Sequence, residues 1–419
     1  MPPTEGLIHP KEYDIKDSNV ELINTTIDHN VKYNSAKTEP AWTNNSQIAK
    51  QPGLFIWRIE NFQVIPWPKE NYGQFYDGDS FIILHSYKLG NSNSNSNTNS
   101  NSENADTNTP KLGHEIFFWL GSKTTQDEAG TAAYKTVELD EYLHGAATQY
   151  REVQQHPSDE FLALFRHYAV RSGGVRSGFR HVETRDKGEE EIKTLLRVFK
   201  HSGTIGKDSL IVCEVEPTWE SLDENDVFVL DAGTKIWVWQ GKKCSPMEKA
   251  KAAQVVNDLT MAKHVDVEVL SQLEGRSRVF VDLLGGKDVG TGMGRTLEAP
   301  RPGRFAKNGG SPGRERSRKL FRLSDASGEL SFDLVKDGER VDREDFDGDD
   351  VFLFDAGNRL WVWQGAGASA GEKANWLKVA QCYVRKLRES QEESEAYLTP
   401  ICRVAQGHES PAFFKALEV

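Results

Sequence analysis

The sequence predicts an α+β protein made of three copies of one structural unit, and three recurring features carry that prediction. An aromatic-rich apolar segment ending in glycine occurs as Glu115–Gly121 (EIFFWLG), Lys235–Gly241 (KIWVWQG) and Arg359–Gly365 (RLWVWQG). An acidic turn running into an apolar strand precedes each copy: GDSFIIL from Gly78, NDVFVLD from Asn225 and DDVFLFD from Asp349. An Ala-rich helical stretch follows each copy, with a glutamate seven residues after the glycine, at Glu128, Glu248 and Glu372.

Each unit opens with a short apolar strand: LFIWRI from Leu54, LLRVFK from Leu195 and KLFRLS from Lys319. The aromatic segments cluster or alternate large apolar residues over a strand's length and read as buried strands. In the second and third copies the tripeptide DAG makes a tight strand-to-strand turn. Asp226 to Gly241 and Asp350 to Gly365 are both 15 residues, whereas Asp79 to Gly121 is 42. The excess is an Asn/Ser tract, Gly90–Pro110, which has nothing to bury and is expected to be a disordered hairpin tip. A glutamate in the first turn of each long helix suits the positive end of the helix dipole. A closing strand and a second helical piece complete the unit.

The predicted boundaries follow. Residues 1–50 are a polar N-terminal extension, 51–183 the first domain, 184–191 a charged linker and 192–286 the second domain. Residues 287–319 are rich in Gly and Pro, carry nine Lys or Arg against three acids, and read as a flexible tether before the third domain at 320–419.

Composition excludes several classes. Lys and Arg total 51 and Asp and Glu 63, a net charge of -12, which argues against nucleic acid as the partner. No apolar run approaches the ~18–20 residues of a membrane span, and the first residues do not form a secretory signal. The four cysteines form no CxxC pair, which fits a reducing cytosol better than a disulfide scaffold or a zinc site. An enzyme has little to stand on. GTGMG at Gly290–Gly294 lacks the GKS or GKT of a phosphate loop, and neither HExxH nor GxSxG occurs.

A carboxylate at the hairpin turn recurs with a carboxylate at the helix start: Asp79 with Glu128, Asp226 with Glu248, and Asp350 with Glu372. Such pairs could converge beside exposed turn carbonyls as hard-oxygen ligands for Ca²⁺. Alternatively, each Asp only turns its hairpin and each Glu only caps its helix.

The runs IWRIENF, YGQFYDGDSFIILHSYK, TTQDEAGTAAYKTVELDEYL and GGVRSGF resemble the first domain of the gelsolin/villin family. The likeness continues through all three units. The three-domain length, the stretch KEYDIKDSNVELI and LSDASGEL at Leu323–Leu330 are most similar to its severin and fragmin branch. The resemblance implies three tandem gelsolin-like domains, each a mixed, mainly antiparallel sheet between a long and a short helix. It implies a cytoplasmic, Ca²⁺-dependent protein that severs actin filaments, caps barbed ends and promotes nucleation. The alternative is a calcium-responsive protein on the same fold that binds actin, or serves as a scaffold, without severing.

The resemblance also assigns residues. A calcium site in the first domain would use the carbonyls of Gly78 and Val175 with Asp79 and Glu128. A second, shared with actin, would use Asp140 and the carbonyls of Gly145 and Ala147, with actin supplying a carboxylate. Asn225, Asp226 and Glu248 correspond in the second domain, and Asp350 and Glu372 in the third, with Asp349 before the turn aspartate. A cysteine pair of secreted members is absent, since Val227 and Gln240 stand there. Ala129, Ala133, Val137 and Asp140 fall at i, i+4, i+8 and i+11, one stripe of a helix, which would enter a groove on actin; otherwise Ala133 and Val137 pack on their own sheet. Asp140 is expected to be an exposed acid. Thin basic clusters correspond to the family's phosphoinositide-responsive stretches, at Arg166, Arg171, Arg197 and Lys200. The short linker at 184–191 is expected to couple domains one and two, and the long tether to leave domain three loose.

Overall fold

The computed structural model describes residues 36–45, 47–48, 50–89, 112–165, 168–174, 193–202, 208–286, 297–299, 317–357, 359–389 and 399–418. The Asn/Ser tract, Arg166, Val175, the linker at 184–191 and most of the tether lie outside the described residues.

Repeat one contains strands β1 (Gly53–Glu60), β2 (Gln63–Pro66), β3 (Gln74–Tyr76), β4 (Ser80–Lys88), β5 (Leu112–Leu120), β6 (Ala147–Val153) and β7 (Tyr168–Arg171). Repeat two contains β8 (Thr194–Ser202), β9 (Asp208–Val215), β10 (Val227–Asp231), β11 (Lys235–Gln240) and β12 (Asp266–Ser271). Repeat three contains β13 (Lys319–Ser324), β14 (Ser331–Asp337), β15 (Val351–Asp355), β16 (Leu360–Gln364) and β17 (Ile401–Ala405). The helices are α1 (Pro40–Thr43), α2 (Gln126–Tyr142), α3 (Asp159–Ala163), α4 (Pro246–Lys263), α5 (Arg278–Leu283), α6 (Ala370–Glu389) and α7 (Pro411–Glu418).

Each repeat is a mixed sheet between a long and a short helix. The pairs β5–β6, β11–β12 and β16–β17 are parallel, because a long helix connects each, while the hairpins are antiparallel. Side chains alternate across each strand. In β4, Ile82 and Leu84 face Ala132, Leu139 and Leu143 of the α2 layer, while Phe81 and Ile83 face the aromatic core containing Phe161 of α3. In repeat two, Val227 and Val229 pack with Ala252, Val255 and Val256 of α4, and Phe228 and Leu230 with Phe280 and Val281 of α5.

The sheets do not stay within their repeats. Repeats one and three share a ten-stranded sheet of order β14-β13-β15-β16-β17-β6-β5-β4-β1-β2. The junction is an antiparallel contact of β17 with β6, pairing Cys402 with Tyr150 and Arg403 with Gln149. The second sheet, β12-β11-β10-β8-β9-β7-β3, takes its last two strands from repeat one. Domain three is therefore docked on domain one, where the tether length led us to expect a loose third domain. Linker length limits reach and says nothing about which free sheet edges meet.

The polar N-terminal extension and the tether both contribute to packing. Trp42 of α1 is fully buried, meets Trp57 edge-on at 6.1 Å, and donates its indole N–H to the Ala36 carbonyl at 2.8 Å. From the tether, the Leu297 carbonyl accepts from the Glu224 amide at 2.8 Å and Ala299 is buried.

Candidate metal centre and partner face

The turn before each Trp-rich strand is built the same way three times. The amides of Gly121, Gly241 and Gly365 each donate to the carbonyl of the turn aspartate, Asp79, Asp226 or Asp350, at 3.0 Å. A Cβ on these glycines would lie 2.3, 2.4 and 2.2 Å from the carbonyl oxygens of Asp77, Glu224 and Gly348, so only glycine allows the close approach. The shared contact holds each aspartate at the same place beside the start of its long helix.

In repeat one Asp79 is fully buried and Glu128 is 2% exposed. Thr125 caps α2 by accepting from the Glu128 amide, which fixes the carboxylate in the first turn. Glu128 Oε2 accepts from the Thr124 hydroxyl at 3.2 Å, but its buried Oε1 has no hydrogen-bond partner. Burial and then the neighbouring Asp79 charge push the Glu128 carboxyl up to about 7. The Gly173–Gly174 loop closes over the pair: the Gly78 amide donates to the Gly173 carbonyl at 2.8 Å, and a Cβ on Gly174 would sit 2.4 Å from Asp79 Oδ1. Two buried carboxylates, an orphaned oxygen and a glycine cradle fit a hard divalent cation. Gly78, Asp79 and Glu128 are thus brought together; Val175 lies outside the described residues. Among the described residues, no three His, Cys, Asp or Glu side chains converge, so carbonyls would have to complete any such site.

The other helix-start glutamates are engaged differently. Glu248 accepts from the Lys200 amide at 2.7 Å and the Ser245 amide at 2.6 Å, closing a capping box. Glu372 accepts from the amides of Asp325 at 2.8 Å and Ser369 at 3.0 Å. Burial raises the Glu372 carboxyl, with Asp325 and Asp350 adding to the rise, so Asp350 and Glu372 are brought near each other. Asn225 sits in the repeat-two turn with its amide donating to Asp223 Oδ1 at 2.9 Å. Asp349 occupies the repeat-three turn, its amide 3.2 Å from Asp347 Oδ1.

On α2 the face toward the sheet is Glu128, Ala132, Thr136, Leu139 and Leu143, all buried. The adjacent stripe points outward: Ala129 and Ala133 are half-buried, and Val137 is 37% exposed. Asp140 departs from the expectation of an exposed acid. It is 3% exposed and accepts from the Ala147 amide at 3.0 Å, Gln149 Nε2 at 2.7 Å and Arg403 Nη1 at 2.6 Å. Docking of β17 on β6 brings Arg403 over the end of α2 and covers it. Gly145, at φ 73°, turns the chain after α2, and its amide donates to the Asp140 carbonyl at 2.8 Å.

The basic residues also need correction. Arg197 does not face solvent: it is 1% exposed, with its guanidinium 2.7 Å from Asp226 and 3.0 Å from Asp223. A buried guanidinium must be paired, and these two acids supply the charge. It therefore cannot serve as a surface cation for phosphoinositide. Arg171 ends β7 half-buried, its carbonyl accepting from the Asp77 amide, and Lys200 is half-buried on β8. Arg166 lies outside the described residues.

Sequence reasoning did not foresee that the arginine on each opening strand faces the turn aspartate. Arg58, Arg197 and Arg322 pair in register with Phe81, Phe228 and Phe352, each two residues after the turn aspartate. Their guanidinium nitrogens lie 3.5 Å from Asp79, 2.7 Å from Asp226 and 3.8 Å from Asp350. The signal was the Arg common to LFIWRI, LLRVFK and KLFRLS.

The sequence signature of the gelsolin repeat matches residues 61–162, 210–281 and 336–414. The chain belongs to the gelsolin family. Gelsolin-like protein 1 of Lumbricus terrestris is 36% identical over 91% of this chain and 92% of its own length. Gelsolin-like protein 2 of the same worm is 35% identical over 98% and 99%, and severin of Echinococcus granulosus 34% over 91% and 92%. Gelsolin-family proteins are non-enzymatic actin regulators, commonly controlled by calcium. Among the described residues, no helix is long and apolar enough to cross a membrane.

Proposed function

We propose that this gelsolin-family chain is a cytoplasmic, Ca²⁺-dependent protein that severs actin filaments, caps barbed ends and nucleates assembly. The observation that carries this reading is the buried pair of Asp79 and Glu128, with a Glu128 oxygen left over for a cation, at the start of the helix whose small-residue stripe faces outward. The likeness to a severin over nearly its whole length supports the severing part.

In this reading Gly78, Asp79 and Glu128, with the carbonyl of Val175, hold one Ca²⁺. A bound cation would supply the positive charge that lets Asp79 and Glu128 stand ionised side by side at the start of α2. Ala129, Ala133 and Val137 enter a groove on actin, while Asp140 with the carbonyls of Gly145 and Ala147 completes a second site against an actin carboxylate. That second site needs Asp140 released from Arg403, so domain three must undock from domain one before the bridge forms. The closed arrangement is the resting state, and calcium favours the open one. Phosphoinositide control falls to Arg166, Arg171 and Lys200 without Arg197.

Sedimentation and assembly kinetics with purified actin test this directly. In micromolar calcium the protein should bind monomers tightly and remove the lag of assembly, and in chelator both effects should fade. Equal nucleation in calcium and in chelator would remove calcium from the reading. Actin binding in calcium without filament shortening would favour the binding or scaffold alternative.

A further inference from the structure

The three turn aspartates meet their opening-strand arginines to very different degrees. Arg322 is 46% exposed and stands 3.8 Å from Asp350. Arg58 is 19% exposed and stands 3.5 Å from Asp79, with its guanidinium over the Trp67 ring. Arg197 is 1% exposed and bonded, its Nε donating to Asp226 Oδ2 at 2.7 Å. Its Nη2 also donates to Asp223 Oδ2 at 3.0 Å and to the Ala299 carbonyl at 3.1 Å. Phe199 and Phe228 flank it, each ring centre 5.7 Å away. A guanidinium presents planar donors suited to two carboxylates and a carbonyl at once, and here all three partners come from oxygen groups that a hard cation would also use.

The carboxylates of Glu248 and Asp223 are committed as well. Both Glu248 oxygens accept backbone amides, whereas Glu128 has one left over. Asp223 Oδ1 is taken by Asn225, through its amide at 2.9 Å and its side chain at 2.5 Å. The residues of repeat two therefore do not fit a calcium ion as they stand.

We propose that the second repeat carries its own cation, Arg197, in place of calcium, so that the Asp226 site is structural and closed to the ion. A calcium ion could enter only if a buried guanidinium left two buried acids and the tether carbonyl for water. The inference deepens the calcium reading above and rests on it only in assigning calcium to repeat one. It also gives the tether a task, since Ala299 closes the cage around Arg197.

Equilibrium dialysis of the full chain against ⁴⁵Ca²⁺, with melting followed by circular dichroism in calcium and in chelator, tests this. Asp226→Asn should bind as many calcium ions as wild type, and its melting temperature should fall equally with and without calcium. One ion fewer in Asp226→Asn, or a melting deficit that appears only in calcium, would overturn the proposal. Should Asp226→Asn fail to fold, Arg197→Gln decides. With the guanidinium gone, it should be more stable in calcium than in chelator by a wider margin than wild type, and bind one further ion. An unchanged calcium response of Arg197→Gln would overturn the proposal. Asp79→Asn reports separately on repeat one: if it keeps the wild-type ion count, the calcium reading of repeat one fails, whatever Asp226 shows.

Discussion

The Arg403 guanidinium of repeat three lies 2.6 Å from the Asp140 carboxylate of repeat one, across the junction of β17 and β6. This ion pair joins the end of the proposed actin-binding helix to the third domain. Nearby, Arg359 meets Glu160 at 2.6 Å, and the Tyr150 hydroxyl donates to Ser410 at 2.9 Å. These polar contacts flank a short two-residue ladder and an apolar core that both repeats share, in which Tyr150 meets Trp361 edge-on at 6.1 Å.

Loss of the pair should be felt without actin. Asp140→Asn leaves Arg403 facing a neutral amide and should cost about 1–3 kcal/mol, more than a surface change. Denaturant unfolding in chelator measures this. A change within about 0.5 kcal/mol would mean that the junction contributes little.

Arg403→Ala separates the two roles of Asp140, because it breaks the ion pair without removing the carboxylate, which keeps its bonds from Ala147 and Gln149. The variant should bind monomeric actin in chelator more tightly than wild type and reach half-maximal binding at lower calcium. Titration of labelled actin over a calcium series reads both. An unchanged calcium threshold would show that undocking of domain three does not limit binding.

Proton competition should appear at Glu128. Its carboxyl is raised to about 7, so without calcium it contributes stability that is full below the unfolded value near 4.5 and lost as pH rises through about 7. Calcium needs the ionised form, so affinity at repeat one should rise by up to about tenfold per pH unit below 7 and level off above it. Calorimetry between pH 5.5 and 8 should show proton release that Glu128→Gln abolishes. Burial raises Glu152 to about 7 as well, so part of the stability trend will persist in that variant while the calcium-linked part goes.

The Asn/Ser tract should be dispensable. The β4–β5 ladder runs without interruption to Lys88 paired with Leu112, so residues 90–110 follow the last pair of the hairpin. Loop closure depends weakly on length, and deletion should change stability by about 1 kcal/mol or less. Unfolding or loss of actin binding on deletion would give the tract a role in repeat one.

Much of the fold could be read from sequence because each unit carries strong local signals. The Trp-rich strands, the acidic turns ahead of them and the helix-start glutamates all recur at matched spacing, and Glu128 does stand in the first turn of α2. The Asp79–Glu128 pair was legible for the same reason. The joining of β6 to β17 was not, since edge pairing between distant units depends on tertiary fit and leaves no periodic trace. Asp140 was misjudged as exposed on that account: its cover, Arg403, is 263 residues away. Trp42 was passed over because a lone tryptophan in a polar stretch has no pattern around it. Arg197 was misread because charge alone does not distinguish a basic surface from a buried ion pair.

Direct imaging of single filaments tests whether calcium controls severing. Purified full-length protein flowed over surface-held actin filaments should fragment them within seconds to minutes in micromolar calcium and leave them intact in excess chelator. Asp79→Asn should require more calcium for the same rate. Filaments that break equally fast with and without calcium would rule out calcium control, and filaments that never break while binding persists would rule out severing.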